Sequence, residues 1–226
     1  MENQNRHFLC IWLLLAGFIA ATAVVFAAYR AADAKFPSNV GRELKGAELA
    51  EVIDRNSPMI TYAFLSANAD FPRADTIKKI TIHHMGGVMT LEKCGKLFSN
   101  RDRRASANYG IDSNGNVACY VEECNRSWAS SSRDNDHQAV TIEVSNDETG
   151  DGWHVSDASL QSLIDLCTDI CRRNQIPELN YTGDVSGNVT IHSMFSSKTE
   201  CPGPYLKGKI PEIVNAVNRN LALARQ

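Results

Sequence analysis

Patterns typical of strands and helices alternate along most of the chain, and this order constrains the fold more than any other feature. Short runs rich in β-branched residues are followed by amphipathic helical patterns. The predicted strands are residues 78–84, 107–112, 117–121, 139–144 and 188–194. The predicted helices are residues 90–98, 156–174 and 211–223. This alternation predicts an α/β fold, a single domain with a mixed central β-sheet flanked by helices.

An uncharged segment precedes this region. Residues 8–28 contain no charged side chain, and as a helix they would be about 31 Å long, enough to cross the core of a bilayer. We therefore expect residues 1–36 to form a cytoplasmic tip and a transmembrane helix that anchors the chain, with a cleaved signal segment as the alternative. Residues 37–71 are expected to form a linker or stalk with a short helix, and residues 72–226 the folded domain.

The charge balance limits the possible partners. The chain has 23 Lys and Arg residues against 26 Asp and Glu residues, which gives a net charge of −3. Binding to the phosphates of a nucleic acid normally requires a basic face, so we expect no nucleic-acid partner. The domain is expected to be a monomer.

The seven cysteines do not resemble a disulfide framework, because their number is odd and their spacing is irregular. Cys167 and Cys171 lie four residues apart in a helical pattern and are expected to be small buried side chains. Cys119 and Cys124 could pair across a turn, and the sequence leaves that pairing open.

Two histidines and a cysteine form a possible metal site. His83 and His84 end a predicted strand, His192 lies on a later strand, and Cys201 follows nine residues after it. Successive strand residues face opposite sides, so one ion takes only one histidine of the pair. Two imidazoles and a thiolate suit Zn²⁺ and leave the fourth tetrahedral position for water. The spacing alone is weak support, since a single strand histidine is more often a core or surface residue.

Longer stretches add a family resemblance. They are ITIHHMGG (80–87), SANYGIDSNGNVACYVEECNRSWASSS (106–132), AVTIEVSND (139–147) and TIHSMFSSKTECPGPYL (190–206). In sequence, order and spacing, the chain from about residue 76 to residue 206 resembles the zinc-dependent N-acetylmuramoyl-L-alanine amidases, the family that includes amidase-type phage lysozymes and peptidoglycan recognition proteins. The resemblance implies an α/β sheet fold, one Zn²⁺ ion, and hydrolysis of the amide between N-acetylmuramic acid and L-alanine in bacterial peptidoglycan.

The resemblance also assigns the catalytic residues. It implies that His83, His192 and Cys201 hold the zinc ion and that Glu143 is the catalytic carboxylate. The alternative for Glu143 is a strand residue paired with a cation. An acid in the otherwise apolar strand AVTIEV makes that alternative less favourable, because burying an unpaired carboxylate is costly.

The turn before Cys201 departs from the family pattern. Many relatives carry a Lys two residues before the third ligand, where it helps to stabilise the transition state. Thr199 occupies that position here and Lys198 comes one residue earlier. The auxiliary donor is therefore Lys198 or Thr199, or the site has no such donor.

Four further residues are candidates for substrate binding. Asn125, Arg126 and Trp128 belong to a loop that lines the substrate groove in the family, and Asn146 follows the Glu143 strand, where it could hydrogen-bond the stem peptide. Trp128 could pack on the substrate or anchor its own loop, and the sequence favours neither.

Other polar residues receive no catalytic role. Tyr109 is displaced by two residues from the position of a tyrosine that some members use. His84 is expected to support the site or the fold, and His137 and His154 are expected to be exposed loop residues.

The main competing function is a peptidoglycan-binding module without catalysis. Members of that kind lose the thiolate ligand, whereas Cys201 is present here, which favours the enzyme. A zinc hydrolase that cuts another amide is a third possibility. The resemblance and the apolar segment together imply a catalytic domain outside the cell membrane, or secreted if the segment is cleaved.

Overall fold

The computed structural model describes residues 38–150 and 152–225. Its strands are β1 (Ile60–Ala63), β2 (Ala69–Asp70), β3 (Lys79–His84), β4 (Tyr109–Ile111), β5 (Val117–Cys119), β6 (Arg126–Ser127), β7 (Ala139–Val144) and β8 (Val189–Ile191). Its α-helices are α1 (Gly46–Arg55), α2 (Leu91–Ser99), α3 (Arg133–Gln138), α4 (Asp157–Arg173) and α5 (Gly203–Leu223). Short 3₁₀ turns cover Arg101–Arg103 and His192–Met194.

A six-stranded sheet forms the centre of the domain, in the order β1-β5-β4-β7-β3-β8. Strand β3 runs parallel to both β7 and β8, and β4 runs parallel to β7. The hairpin β4–β5 is antiparallel, so the sheet is mixed. Strands β2 and β6 form a separate antiparallel ribbon. The predicted α/β domain with a mixed central sheet is confirmed.

Two hydrophobic clusters pack on the sheet. Val117 and Cys119 belong to the larger cluster, which also contains buried residues of α1, α4 and α5. Ala118 belongs to the smaller cluster, which contains buried residues of α2. Because neighbouring strand residues point to opposite faces, the two clusters cover opposite faces of β5. Helices therefore flank the sheet, as the sequence predicts.

Helix α4 shows how local sequence defines an element. The Ser156 hydroxyl accepts a hydrogen bond from the Ser159 N–H at 3.1 Å and caps the first turn. Arg172 and Arg173 lie in the last turn, where positive charge suits the helix dipole. The apolar stripe is buried in the larger cluster and includes Leu163, Leu166, Cys167, Ile170 and Cys171. The predicted helix and the predicted burial of both cysteines are confirmed.

Two predicted boundaries near the C-terminus are wrong. Strand β8 ends at Ile191, and His192 begins a 3₁₀ turn. Helix α5 begins at Gly203, and Pro211 lies inside it. A proline removes one helical hydrogen bond, but the helix continues because apolar residues on both sides of it are buried. These residues are Leu206, Ile210, Ile213, Val214 and Val217.

The stalk predicted for residues 37–71 is corrected by the structure. Residues from Asn39 onward form one compact unit with the rest of the domain. Leu44 and Val52 are buried in the larger cluster, and β1 extends the central sheet through its parallel pairing with β5. The sequence signal is weak because β1 has four residues and β2 has two, which is too short for a clear alternating pattern.

The predicted transmembrane helix at residues 8–28 lies outside the described residues, so the membrane anchor stays a prediction. Within residues 38–150 and 152–225, no helix is both long enough and apolar enough to cross a bilayer.

The six cysteines in the described part of the chain are free thiols. Cys119 is buried and Cys124 is exposed, so the disulfide that the sequence leaves open between them is not formed.

Candidate metal centre and adjoining groove

The three candidate metal ligands meet at one edge of the sheet. His83 is the fifth residue of β3, and His192 directly follows β8, the parallel neighbour of β3. The carboxyl ends of parallel strands lie at the same edge, which brings the two imidazoles together. Cys201 reaches them from the turn before α5, where its carbonyl accepts a hydrogen bond from the Ser193 N–H at 3.1 Å.

The distances between the ligand atoms suit a tetrahedral ion. One ligand atom from each of His83, His192 and Cys201 lies within 4.8 Å of the other two. His83 Nδ1 is 3.5 Å from Cys201 Sγ. Zinc bonds of about 2.3 Å to sulfur and about 2.0–2.1 Å to nitrogen, at a tetrahedral angle, separate these atoms by roughly 3.5–3.6 Å. The His83 and His192 rings lie 5.2 Å apart at 61°.

Burial sets the protonation states of the three candidate ligands. Burial, with smaller effects from His192 and His84, lowers the pKa of His83 to about 3, so the imidazole is neutral and offers a lone pair. Burial also lowers the pKa of His192, opposed by Asp136, and raises the pKa of the Cys201 thiol, which a bound cation would deprotonate. His83 Nε2 is buried without a hydrogen-bond partner among the described residues. The two imidazoles and the thiol fit one zinc ion.

His84 has a different position from His83. As the next strand residue it points to the other side of β3. Its ring packs edge-on against Trp153, with ring centroids 5.3 Å apart at 85°. Gly203 lies against the same ring, because a Cβ at that position would come within 3.2 Å of His84 Cε1. His84 therefore supports the start of α5 and the Trp153 loop.

Glu143 lies beside the three ligands. Its position in β7 pairs with His83 in the parallel register, so both side chains project from the same face of the sheet. Oε2 of Glu143 is buried without a hydrogen-bond partner in the described part of the chain, although the residue as a whole is partly exposed. Burial raises the pKa of Glu143 to about 8, although Arg103 acts in the opposite direction. A carboxyl group in this range can both accept and return a proton near neutral pH.

The turn before Cys201 places the two candidate auxiliary donors differently. The Thr199 hydroxyl accepts a hydrogen bond from the Cys201 N–H at 3.1 Å, so this side chain shapes the turn that carries the thiol. Lys198 is exposed, and its N–H donates to the Ser196 hydroxyl at 3.3 Å. A transition-state role for either side chain stays a prediction.

A groove of about 360 Å³ adjoins His192. Arg126 and Trp128, two of the predicted substrate residues, line it together with Arg104, Ser131 and Arg133. The groove therefore leads from the candidate metal ligands to an aromatic ring and several guanidinium groups.

Ser131 is a residue of the site that the sequence reasoning missed. Its hydroxyl lies 2.9 Å from His192 Nε2, so this hydrogen bond occupies one ring nitrogen and leaves Nδ1 for a metal. Hydrogen bonds of this kind orient metal-binding imidazoles. Ser131 has a positive φ of 65°, an unusual backbone conformation for a serine, at the position where its hydroxyl contacts the imidazole. The only available signal is its place in the SSS run of the resembling stretch.

Two predicted substrate residues do not face the groove. Asn146 is fully buried, its Oδ1 accepts from the Gly87 N–H at 3.1 Å, and its Nδ2 donates to the Trp153 carbonyl at 2.8 Å. Asn146 therefore joins two loops, and its contact with the stem peptide stays a prediction. Asn125 is also buried, and its carbonyl accepts from Arg73 at 3.0 Å.

The remaining polar residues have structural contacts. His137 is buried, and its Nδ1 accepts from the Ala74 N–H at 2.9 Å, so its predicted exposure is wrong. His154 is partly exposed and contacts the Asp147 carboxylate at 2.8 Å. Tyr109 is buried, and its hydroxyl donates to Glu123 at 2.7 Å, which agrees with leaving it out of the catalytic set.

Comparisons with known proteins agree with this architecture. A mutant endolysin from Bacillus subtilis has 17% sequence identity, coverage of 67% of this chain and 92% of its own, and a TM-score of 0.51. The hydrolase AmiA of Staphylococcus aureus, solved in complex with its ligand, has 14% identity, coverage of 81% of this chain and 95% of its own, and a TM-score of 0.57. At these identities the likeness shows a shared fold.

The sequence comparison is more specific than the structural one. No curated protein matches the chain. Residues 73–204 match the family model described as N-acetylmuramoyl-L-alanine amidase, and this stretch is more than half of the 226 residues. The chain therefore belongs to the N-acetylmuramoyl-L-alanine amidase family.

Proposed function

We propose that this protein is a zinc-dependent enzyme that hydrolyses the amide between N-acetylmuramic acid and the L-alanine of the stem peptide in peptidoglycan. The observation that carries the proposal is the convergence of His83, His192 and Cys201, whose ligand atoms lie within 4.8 Å of one another. Glu143, which lies on the strand beside His83, completes a set of groups able to activate water and transfer protons.

The metal and the side chains divide the chemistry between them. His83, His192 and Cys201 would hold a zinc ion, which would supply Lewis-acid chemistry: polarisation of the scissile carbonyl and acidification of a water molecule. Glu143 accepts the proton of the attacking water and returns it to the nitrogen of the leaving alanine. Burial raises the pKa of Glu143, which favours the protonated form that returns the proton, whereas a cation at the three ligands would favour the carboxylate that accepts it.

The groove beside His192 accommodates the substrate next to these groups. Trp128 offers a planar ring and Arg126 a guanidinium group along its wall. Ser131 orients the His192 imidazole at the end of the groove through its 2.9 Å hydrogen bond. In this proposal the scissile amide lies at the His192 end of the groove, next to the candidate metal ligands.

The test is to incubate the purified full chain with peptidoglycan and measure new free N-terminal alanine. We expect release with zinc present and none after chelation, with activity restored by added zinc. Binding to peptidoglycan without alanine release, even with added zinc, would indicate a non-catalytic binding module instead. Mass spectrometry of the released fragments identifies the bond, so cleavage at another amide would also contradict the proposed specificity.

For localisation we propose that residues 8–28 anchor the catalytic domain outside the cell membrane. The support is their length and their lack of charge. Fractionation of cells that express the full chain should place it in the membrane fraction, accessible to protease from outside. A soluble secreted product whose N-terminus begins after residue 28 would favour a cleaved signal segment.

A further inference from the structure

One carboxylate collects hydrogen bonds from three residues of the groove wall. Asp70 Oδ1 accepts from the Trp128 indole Nε1–H at 2.9 Å. Its Oδ2 accepts from Arg126 Nε–H at 2.9 Å and from an Arg133 guanidinium N–H at 3.2 Å. Each of the three donors lines the groove that leads to His192.

The position of Asp70 in the fold is set by the small ribbon. Asp70 ends β2, which pairs with β6 so that Asp70 lies opposite Arg126. This strand precedes residues 73–204, the part of the chain that matches the amidase family. A segment outside the matched region thus supplies the acceptor that holds the groove wall together.

The electrostatics keep this carboxylate charged. Burial alone would raise the pKa of Asp70, but hydrogen bonds from Arg126 and Trp128, with smaller contributions from the Arg126 charge and the Arg133 hydrogen bond, lower it to about 2. The Asp70 and Arg126 side chains are 25% and 10% exposed, which is more shielded than a surface ion pair, whereas Arg133 is 71% exposed. Charge-assisted hydrogen bonds in such surroundings are stronger and more directional than those at the surface.

The indole of Trp128 is held at two points. Its ring N–H is fixed by Asp70, and its backbone N–H donates to the Ser106 hydroxyl at 3.0 Å. The Arg126 guanidinium lies 5.9 Å from the centroid of the same ring and is fixed by the same carboxylate. Without Asp70, the indole could rotate about its side-chain bonds, and the Arg126 guanidinium would lose a buried counter-charge.

We infer that Asp70 is a positioning residue for substrate binding: it fixes Trp128 and Arg126 in the orientation that the groove presents to the substrate. This inference rests on the proposed function, because the groove is the peptidoglycan site only if that proposal holds. Asp70 itself acts through its neighbours and takes no part in the chemical step.

The test compares Asp70→Ala and Asp70→Asn with wild type, using the full chain loaded with zinc and solubilised peptidoglycan fragments. We expect Asp70→Ala to raise KM about 5–10-fold while kcat changes less than about 2-fold, the pattern of lost binding rather than lost chemistry. The KM of Asp70→Asn should lie between those of wild type and Asp70→Ala, because the amide oxygen still accepts a hydrogen bond from the Trp128 indole. Asp75→Asn is the matched control, since Asp75 is partly exposed and contacts Thr76 and Lys78 away from this groove.

A double-mutant comparison distinguishes positioning from a general effect on stability. In a Trp128→Phe background, which removes the ring N–H, the KM effect of Asp70→Ala should shrink, because the two residues act together. An unchanged KM in Asp70→Ala would overturn the inference. Equal losses in kcat and in substrate binding, accompanied by a lower free energy of unfolding, would also overturn the inference. If Asp70→Ala does not fold, Asp70→Asn in both backgrounds provides the same comparison.

Binding assays separate this inference from the proposed function. If the wild-type chain releases no alanine, the affinity for insoluble peptidoglycan is measured instead. Weaker binding of Asp70→Ala, with Asp75→Asn unchanged, would support the positioning role even though the proposed enzyme activity had failed. Equal binding of all variants would contradict the positioning role alone.

Discussion

At the scale of single residues, the site combines groups whose properties depend on burial. His83 and Cys201 are buried, which keeps the imidazole neutral and keeps the thiol protonated until a cation displaces the proton. Glu143 pairs with His83 across neighbouring strands, and burial raises its pKa to about 8. An ionised carboxylate in a strand core is unfavourable without a compensating charge, and a cation at the three ligands provides one.

Replacing Glu143 by Gln should separate zinc binding from catalysis. The amide has nearly the same shape but cannot accept and return a proton, so we expect kcat to fall about 10²–10⁴-fold. Zinc content should stay close to one ion per chain, because Glu143 is not among the three ligands. The measurements are alanine release and metal analysis of the same preparations. Turnover at the wild-type rate would remove Glu143 from the mechanism.

A second prediction concerns Cys201, the candidate thiolate ligand, and His84, which supports the start of α5 and the Trp153 loop. Cys201→Ser should weaken zinc binding by more than the roughly 10–100-fold typical when a residue supporting a ligand is lost, and should abolish turnover. His84→Ala should affect zinc affinity less, since His84 packs against Trp153 and faces away from the ligands. Competition with a calibrated chelator measures both affinities. Equal losses in the two variants would contradict the assignment of the ligands.

At the scale of elements, the longer segments are those that the sequence predicts well. Strands β3 and β7 and helix α4 each carry a complete local pattern, and the structure confirms them within one residue at each end. The short elements depend on their neighbours. Strand β1 forms through its pairing with β5. The 3₁₀ turn at His192 lies where the chain leaves β8 on its way to Cys201. Local propensity could not specify either one.

The place of β1 in the domain can be tested through Ile60, which is 3% exposed in the larger cluster. If this segment belongs to the core, Ile60→Ala should lower the free energy of unfolding by about 2–5 kcal/mol through lost burial and a cavity. Denaturant unfolding monitored by circular dichroism measures the change. Asp54→Ala, at an exposed position of α1, is the control and should stay within about 0.5 kcal/mol of wild type. A similarly small effect for Ile60→Ala would favour a stalk.

At the scale of the whole molecule, the mixed sheet brings distant parts of the chain to one edge. His83 and Cys201 are 118 residues apart in sequence, yet their side chains lie 3.5 Å apart. The parallel strands β3, β7 and β8 deliver His83, Glu143 and His192 to that edge, and the turn before α5 delivers the thiol. A metal held there joins segments that otherwise separate on unfolding, so metal binding and global stability are coupled.

This coupling predicts that zinc stabilises the folded protein. With free zinc at about 100 times its dissociation constant, the expected gain in unfolding free energy is about 2.7 kcal/mol. Thermal unfolding should therefore occur at a lower temperature after chelation and recover when zinc is added back. In Cys201→Ser the difference between the two conditions should largely disappear. A melting temperature that does not respond to zinc in the wild-type chain would contradict a site made of these three residues.

Local sequence predicts the α/β fold class and the main strands and helices, because side-chain periodicity and capping residues are local properties. The candidate metal ligands follow from the resemblance to the amidase family, because their spacing alone is weak support. Tertiary contacts, in contrast, bring residues from Asn39 onward into the domain, join two loops through Asn146, and place the Ser131 hydroxyl against His192. The same holds for the raised pKa of Glu143, because burial depends on what the rest of the chain packs around a side chain.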